Sequence, residues 1–212
     1  MQMYEDIHEI VDRLDTAELL CQLAEECMEL SLAVNETYEI ETASQNIANG
    51  VFQENRAKLE EEIADVQLVW GVLRSQLQPS LTELSFCSRI TDQAEEDGLK
   101  ENLYGIQYGL RTKVLEIGKT AMKLRRAITK KNPTPISEES ARLDLLFSMS
   151  KLRGTLNALV RKYCFENIRN IEEEKAARWL RRLNDAAREQ ESETGGMGNE
   201  GVYEDRPEFL GK

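Results

Sequence analysis

The chain has 212 residues, 41% of them hydrophobic, and a formal net charge of −12. That length fits one domain or two small halves, and the hydrophobic share supports a sizeable core. The strongly negative field disfavours a nucleic-acid partner, and the absence of an apolar run of about 18 residues argues against a membrane span. The opening MQMYEDIHEI is acidic and has neither the basic start nor the apolar stretch of a signal peptide. Cys21, Cys27, Cys87 and Cys164 form no CxxC pair. Scattered thiols of this kind point to a reducing, cytoplasmic setting rather than a disulfide framework or a zinc site. Charge is unevenly spread. Residues 1–68 hold 17 acidic and 3 basic groups, whereas residues 100–182 hold 19 basic and 9 acidic groups. The acidic part can attract cations; the basic part can attract phosphate, or simply the acidic part.

With only 4 Pro and long stretches of Glu, Leu, Ala, Lys and Arg, the chain reads as all-α. Ile7, Ile10, Val11 and Leu14 form one stripe of a short helix over 4–14. Asp15 or Thr16 can cap a second helix reaching about Val34, with Leu19, Leu20, Leu23, Cys27 and Leu30 inward. The polar stretch 35–50 reads as a break with SQNIANG at its tip. A third helix is predicted over 52–78, ended by Pro79, and a weaker one over 80–98, stopping near Gly98. A long helix over 100–130 follows. KKNPTPISEES breaks it, and Ser137, Glu139 and Ser140 open the next helix, which reaches Tyr163. A last helix over 166–190 carries IEEEKAARWLRRL, and 191–212 reads as a disordered tail. The elements suggest packed antiparallel helices in two parts, 1–98 and 99–190.

Two strings carry chemistry: Glu25-Glu26-Cys27-Met28-Glu29, an EExxE, and Glu62-Ile63-Ala64-Asp65, an ExxD. Residues three apart share a helix face, so Glu26 pairs with Glu29 and Glu62 with Asp65. Apolar neighbours (Leu23, Cys27 and Leu30; Ile63, Val66 and Val69) put both pairs at the edge of the buried seam, where they can face each other across two helices. Four close carboxylates repel unless compensated. A hard cation, Mg²⁺ or Mn²⁺, compensates them and suits phosphoryl chemistry. Glu25 can position or deprotonate the attacking water from just outside the ligand set. The alternative is an ordinary solvated glutamate face.

QLAEECMELSLAV (Gln22 to Val34) with EEEIADVQLVW (Glu60 to Trp70) resembles the MazG-like all-α nucleotide pyrophosphohydrolases. EEEKAARWLRRL is similar to the last helix of their phage-type members. The resemblance covers most of residues 4–183, although the 32 residues between Glu29 and Glu62 exceed the compact members' spacing. It implies Mg²⁺-dependent hydrolysis of (deoxy)nucleoside triphosphates to monophosphate and pyrophosphate. Glu26, Glu29, Glu62 and Asp65 would be metal ligands and Glu25 the water-orienting base.

The second part also resembles the first. Gly109–Ile117 aligns with Gln22–Leu30, and Leu145–Leu159 with Leu59–Leu73. Glu25 then becomes Thr112, Glu26 becomes Lys113, Glu29 stays as Glu116, Glu62 becomes Ser148 and Asp65 becomes Lys151. AMKLRRAITKKNPTPIS looks like the basic helix extension and loop of phage-type members, which the first part lacks. The expectation is a fused pseudo-dimer: one metal site, with cations from the degenerate half. Lys119, Lys123, Arg126 and Lys130, three or four apart, are candidates to hold phosphate. Lys113 and Lys151 can instead merely fill the lost site and pair with Glu116.

Gln22, one turn before Glu26, can touch the nucleotide. Trp70 can stack on a base or belong to the core. Trp179 reads as packing and His8 as surface. No P-loop, GxGxxG or nucleophile elbow is present. A dUTPase- or dCTPase-like specificity on the same scaffold is the alternative enzyme reading, and a catalytically weak nucleotide-binding or interaction protein the alternative outside enzymes. A fused pair can act as a monomer or form a homodimer of pseudo-dimers.

Overall fold

The computed structural model describes residues 2–43, 49–130 and 135–195. Among these are seven helices: α1 Gln2–Val11, α2 Thr16–Ala43, α3 Asn49–Leu77, α4 Leu81–Lys100, α5 Leu103–Thr129, α6 Glu138–Tyr163 and α7 Ile168–Gly195. The all-α expectation holds. None of these helices is long and apolar enough to cross a membrane.

Local chemistry sets the helix ends. Ser80 forms a capping box with Glu83, Asn102 caps α5 through the Gly105 amide, and Ser137 caps α6 through the Ser140 amide. Each satisfies an amide that the first turn leaves without a partner. α5 and α6 end on left-handed residues, Lys130 and Cys164.

Several boundaries differ from the sequence reading. α1 ends at Val11 rather than Leu14. α2 does not stop at Val34 but continues to Ala43. Its polar extension is used: Thr37 is buried and donates to the Ala33 carbonyl at 2.8 Å. Tyr38 meets the Tyr104 ring at 5.1 Å, and Glu41 accepts from Gln107 at 3.1 Å and from the Tyr163 hydroxyl. Polar residues that look like a loop therefore form the helix that reaches the second half. Of the expected loop tip, Asn49 and Gly50 lie in α3 and residues 44–48 fall outside the described set. So do residues 131–134 of the break and residues 196–212 of the tail, whereas 191–195 continue α7. α4 ends at Lys100, two residues past Gly98. A Cβ at Gly98 would sit 2.7 Å from the Ala158 Cβ, so this glycine serves close packing on α6.

α2 with α3 and α5 with α6 form helical hairpins, joined through α2 against α5. Their shared core includes Leu20, Leu23, Leu30, Ile63, Leu73, Leu110, Ile117, Leu152 and Leu159. The helix that follows each hairpin does not pack back on it. α4 follows α3 yet lies along α6; α7 follows α6 yet lies along α3 and α1. Thr91 donates to the Ser150 carbonyl at 3.2 Å and Asn157 to Glu95 at 2.9 Å along the α4–α6 seam. The Asn167 amide donates to Glu60 at 2.7 Å where α7 starts. The 98/99 position falls inside α4.

Candidate metal centre

α2 and α3 bring the two sequence strings together. One carboxylate oxygen from each of Glu26, Glu62 and Asp65 lies within 4.8 Å of the others. The apolar residues beside them (Leu23, Cys27, Leu30, Ile63 and Val66) are buried, so the acids stand at the rim of the core as the spacing implies. Burial pushes the Cys27 thiol up to about 12, as befits a core residue rather than a ligand. Glu29 is exposed and outside the close triad. Its charge still acts on both Glu26 and Glu62.

The electrostatics are those of a site short of positive charge. Burial, then Asp65 and Glu29, push the Glu26 carboxyl from the ordinary 4.5 up to about 7, while a hydrogen bond from Gln22 and the charge of Glu62 act in opposite senses. Burial, then Glu29 and Asp65, raise Glu62 as well, against the lowering influence of Lys175. The Glu62 Oε2 is buried with no hydrogen-bond partner. A buried carboxylate oxygen without a donor is costly. Together with two convergent carboxylates it fits an oxygen-ligated divalent cation.

The surroundings are cationic, but the cations differ from those the sequence suggests. Lys175 on α7 forms ion pairs with Asp65 and, at 3.0 Å, with Glu61. It lines a hollow of about 280 Å³ together with Gln22, Glu26, Asp65, Arg178, Trp179 and Arg182. A second hollow, of about 540 Å³, shares Gln22 and Glu26 and adds Glu18, Glu25, Arg125 and Thr129. Arg125, whose Nε is buried without a partner, thus comes from α5 to the acidic side. Its neighbour Arg126 is exposed, as are Lys119 and Lys130. One residue on a helix is about 100° of rotation, which separates the expected row from the face that meets α2. Lys123, half-buried, does not line either hollow.

Of the two roles open to Trp70 the structure shows the core one, and Trp179, packed against the core as expected, has a further position. Trp70 is 6% exposed and packed in the core, while Trp179 borders the carboxylates. Missed in the sequence were Lys175, Arg178, Trp179, Arg182 and Arg125. The helical spacing of 175, 178, 179 and 182 marks one face of α7, but only the crossing of α7 onto α3 puts that face over the acids.

The aligned residues of the second half gather too. Ser148 donates to Glu116 at 3.3 Å, and Lys113 feels both Glu116 and Lys151. α5 and α6 therefore build a counterpart of the α2–α3 cluster with its signs largely inverted.

Comparisons of the chain with known protein families, with curated proteins and with solved structures gave no match.

Proposed function

We propose that this protein is a Mg²⁺-dependent nucleotide pyrophosphohydrolase of the MazG-like all-α type, cleaving (deoxy)nucleoside triphosphates to monophosphate and pyrophosphate. One observation carries the reading: Glu26 and Asp65, which converge with Glu62, share a hollow with the cationic residues Lys175, Arg178 and Arg182. Acids alone would suit any hard cation. Acids opposite a row of cations suit a cation together with the phosphate chain it carries.

Bound between the carboxylates, Mg²⁺ or Mn²⁺ supplies neutralisation of phosphate charge and a more acidic water. The rest falls to side chains. Glu26, Glu62 and Asp65 hold the ion, and Glu29 adds negative charge from the exposed edge. Glu26, whose carboxyl is pushed up to about 7 in the absence of an ion, would be held in its ionised form by one. Lys175, Arg178 and Arg182 receive the phosphate oxygens, and Lys175 exchanges its pairing with Asp65 for the substrate. Glu25, exposed on the adjoining hollow, takes a proton from the attacking water. Pyrophosphate leaves as an anion against the guanidinium groups. Gln22 borders both hollows and orients Glu26, and the Trp179 ring offers an apolar wall.

The test is pyrophosphate release from each NTP and dNTP with Mg²⁺ or Mn²⁺, with Glu62→Gln as control. Turnover on at least one nucleotide is expected, falling about a thousandfold in the variant, in line with loss of a group that stabilises transition-state charge. Absence of turnover on every nucleotide, or an undiminished Glu62→Gln enzyme, overturns the assignment.

A further inference from the structure

The counterpart cluster lies on the wall of a hollow of about 820 Å³ between α4, α5 and α6. Lys113 and Lys151 sit where the first half has Glu26 and Asp65. Among the described residues neither lysine has a carboxylate within ion-pair distance, since the ion pairs of the second half involve other groups. Glu116, the one acid that acts on Lys113, is engaged by Ser148. The ammonium of half-buried Lys113 thus shares the hollow with that of exposed Lys151, and burial and this neighbour both disfavour the charge on Lys113. A structural filler would be expected to pair; these two face open volume.

The walls limit what fits. Phe86 is 42% and Tyr108 65% exposed, both at this hollow. Arg89 lies 5.3 Å from the Phe86 ring. On the α5 side the Glu101 carboxylate lies over Gly105, and a Cβ at Gly109 would come 3.4 Å from the Lys113 Nζ. The charge balance is also restrictive. The lining carries Arg89, Lys113 and Lys151 against Asp97 and Glu101. A phosphomonoester, with a charge of about −1.5 to −2 at neutral pH, matches two ammonium groups. A triphosphate without its metal exceeds the positive charge of this wall by more than a monoester does, and among the described residues the carboxylate triad lies on α2 and α3 rather than here.

We propose that this hollow is a second, metal-independent site for a ring-bearing phosphomonoester, its phosphate on Lys113 and Lys151 and its ring against Phe86 and Tyr108. The choice of a nucleoside monophosphate as that ester rests on the pyrophosphohydrolase reading, of which it is the product. The anion site itself does not depend on turnover.

Isothermal titration of the full chain in EDTA with each deoxynucleoside monophosphate, with phenyl phosphate and with inorganic phosphate tests it. Saturable binding of a nucleoside monophosphate without metal is expected. It should weaken at least about tenfold in the Lys113→Gln/Lys151→Gln double variant, a loss set by two charged contacts. It should persist in Arg178→Gln/Arg182→Gln, which removes two of the phosphate-receiving cations of the other site. No binding of any ester in EDTA overturns the proposal. So does unchanged binding in the Lys113→Gln/Lys151→Gln variant, with circular dichroism showing that variant folded, or loss of binding in Arg178→Gln/Arg182→Gln. Inorganic phosphate binding as tightly as the esters overturns the role of the ring. Phenyl phosphate binding without any nucleotide keeps the anion site and overturns the nucleotide. Failure of catalysis in the Mg²⁺ assay leaves each of these outcomes unaltered.

Discussion

The α2–α3 cluster and the α5–α6 cluster occupy matching places on their hairpins, yet they solve opposite electrostatic problems. The first gathers Glu26, Glu62 and Asp65 and draws cations from α7. The second gathers Lys113 and Lys151, keeps Glu116, and opens onto a hollow walled by α4. The crossing helices differ as well. In the aligned register, Gly154 of α6 stands where α3 has Leu68. A Cβ on Gly154 would meet the Thr91 carbonyl oxygen at 2.2 Å and the Ala94 Cβ at 2.8 Å, so α4 rides directly on the α6 backbone. Leu68, 5% exposed, stands between α3 and α7 and lines the hollow at the acids. A backbone scaffold can thus be kept while a few side chains reverse the charge and adjust the spacing of what it holds.

The largest test of the comparison is to reverse the sign of the second cluster. Lys113→Glu with Ser148→Glu and Lys151→Asp, beside the existing Glu116, should create a divalent site. Mn²⁺ titration followed by electron paramagnetic resonance should rise from one bound ion per chain to two. A stoichiometry still at one would mean that the second hairpin is not equivalent in shape. Next in size is Gly154→Ala. Forcing α4 off α6 should cost about 3 kcal/mol in urea unfolding; a cost within a few tenths would show the crossing to be loose. Lys175→Met removes the cation that competes for Asp65. Mg²⁺ affinity should rise about tenfold, roughly 1.4 kcal/mol, while pyrophosphate release falls. If both rose together, Lys175 would be a competitor alone and have no part in holding phosphate.

The smallest effect is in pH. The folded chain holds the Glu26 proton up to about 7, whereas the unfolded carboxyl releases it near 4.5. Between those values the folded state binds more protons than the unfolded state. Its stability from this group is therefore full below 4.5 and is lost as the pH rises through 7. Metal-free protein should show a falling Tm from pH 5 to pH 8. Mg²⁺, which requires the ionised carboxylate, should raise Tm more at pH 8 than at pH 5.5. Equal Mg²⁺ shifts at both values would remove Glu26 from the ligand set.

The EExxE and ExxD spacing made the Glu26–Glu62–Asp65 cluster legible because helical period and apolar flanks are local properties. The same holds for the Ser137 start of α6. Partners set by tertiary packing were not legible. Which basic face meets the acids depends on how α5 and α7 are rotated about their axes, and a one-residue difference decides between Arg125 and Arg126. That Trp179 borders the acids as well as packing likewise depended on the path of α7. The α2 extension was hidden for a related reason: the partners of Glu41, Gln107 and Tyr163, lie more than 60 residues away in sequence.

The crossing of α4 onto α6 and of α7 onto α3 bears on what the covalent link between halves is for. A chain cut between Glu101 and Asn102 would give two fragments, each bearing a helix whose resting place belongs to the other. Such fragments should recombine, with an unfolding midpoint that climbs as they are concentrated. In the intact chain the tether replaces that dependence with a fixed effective concentration. The same clasp then closes at any dilution.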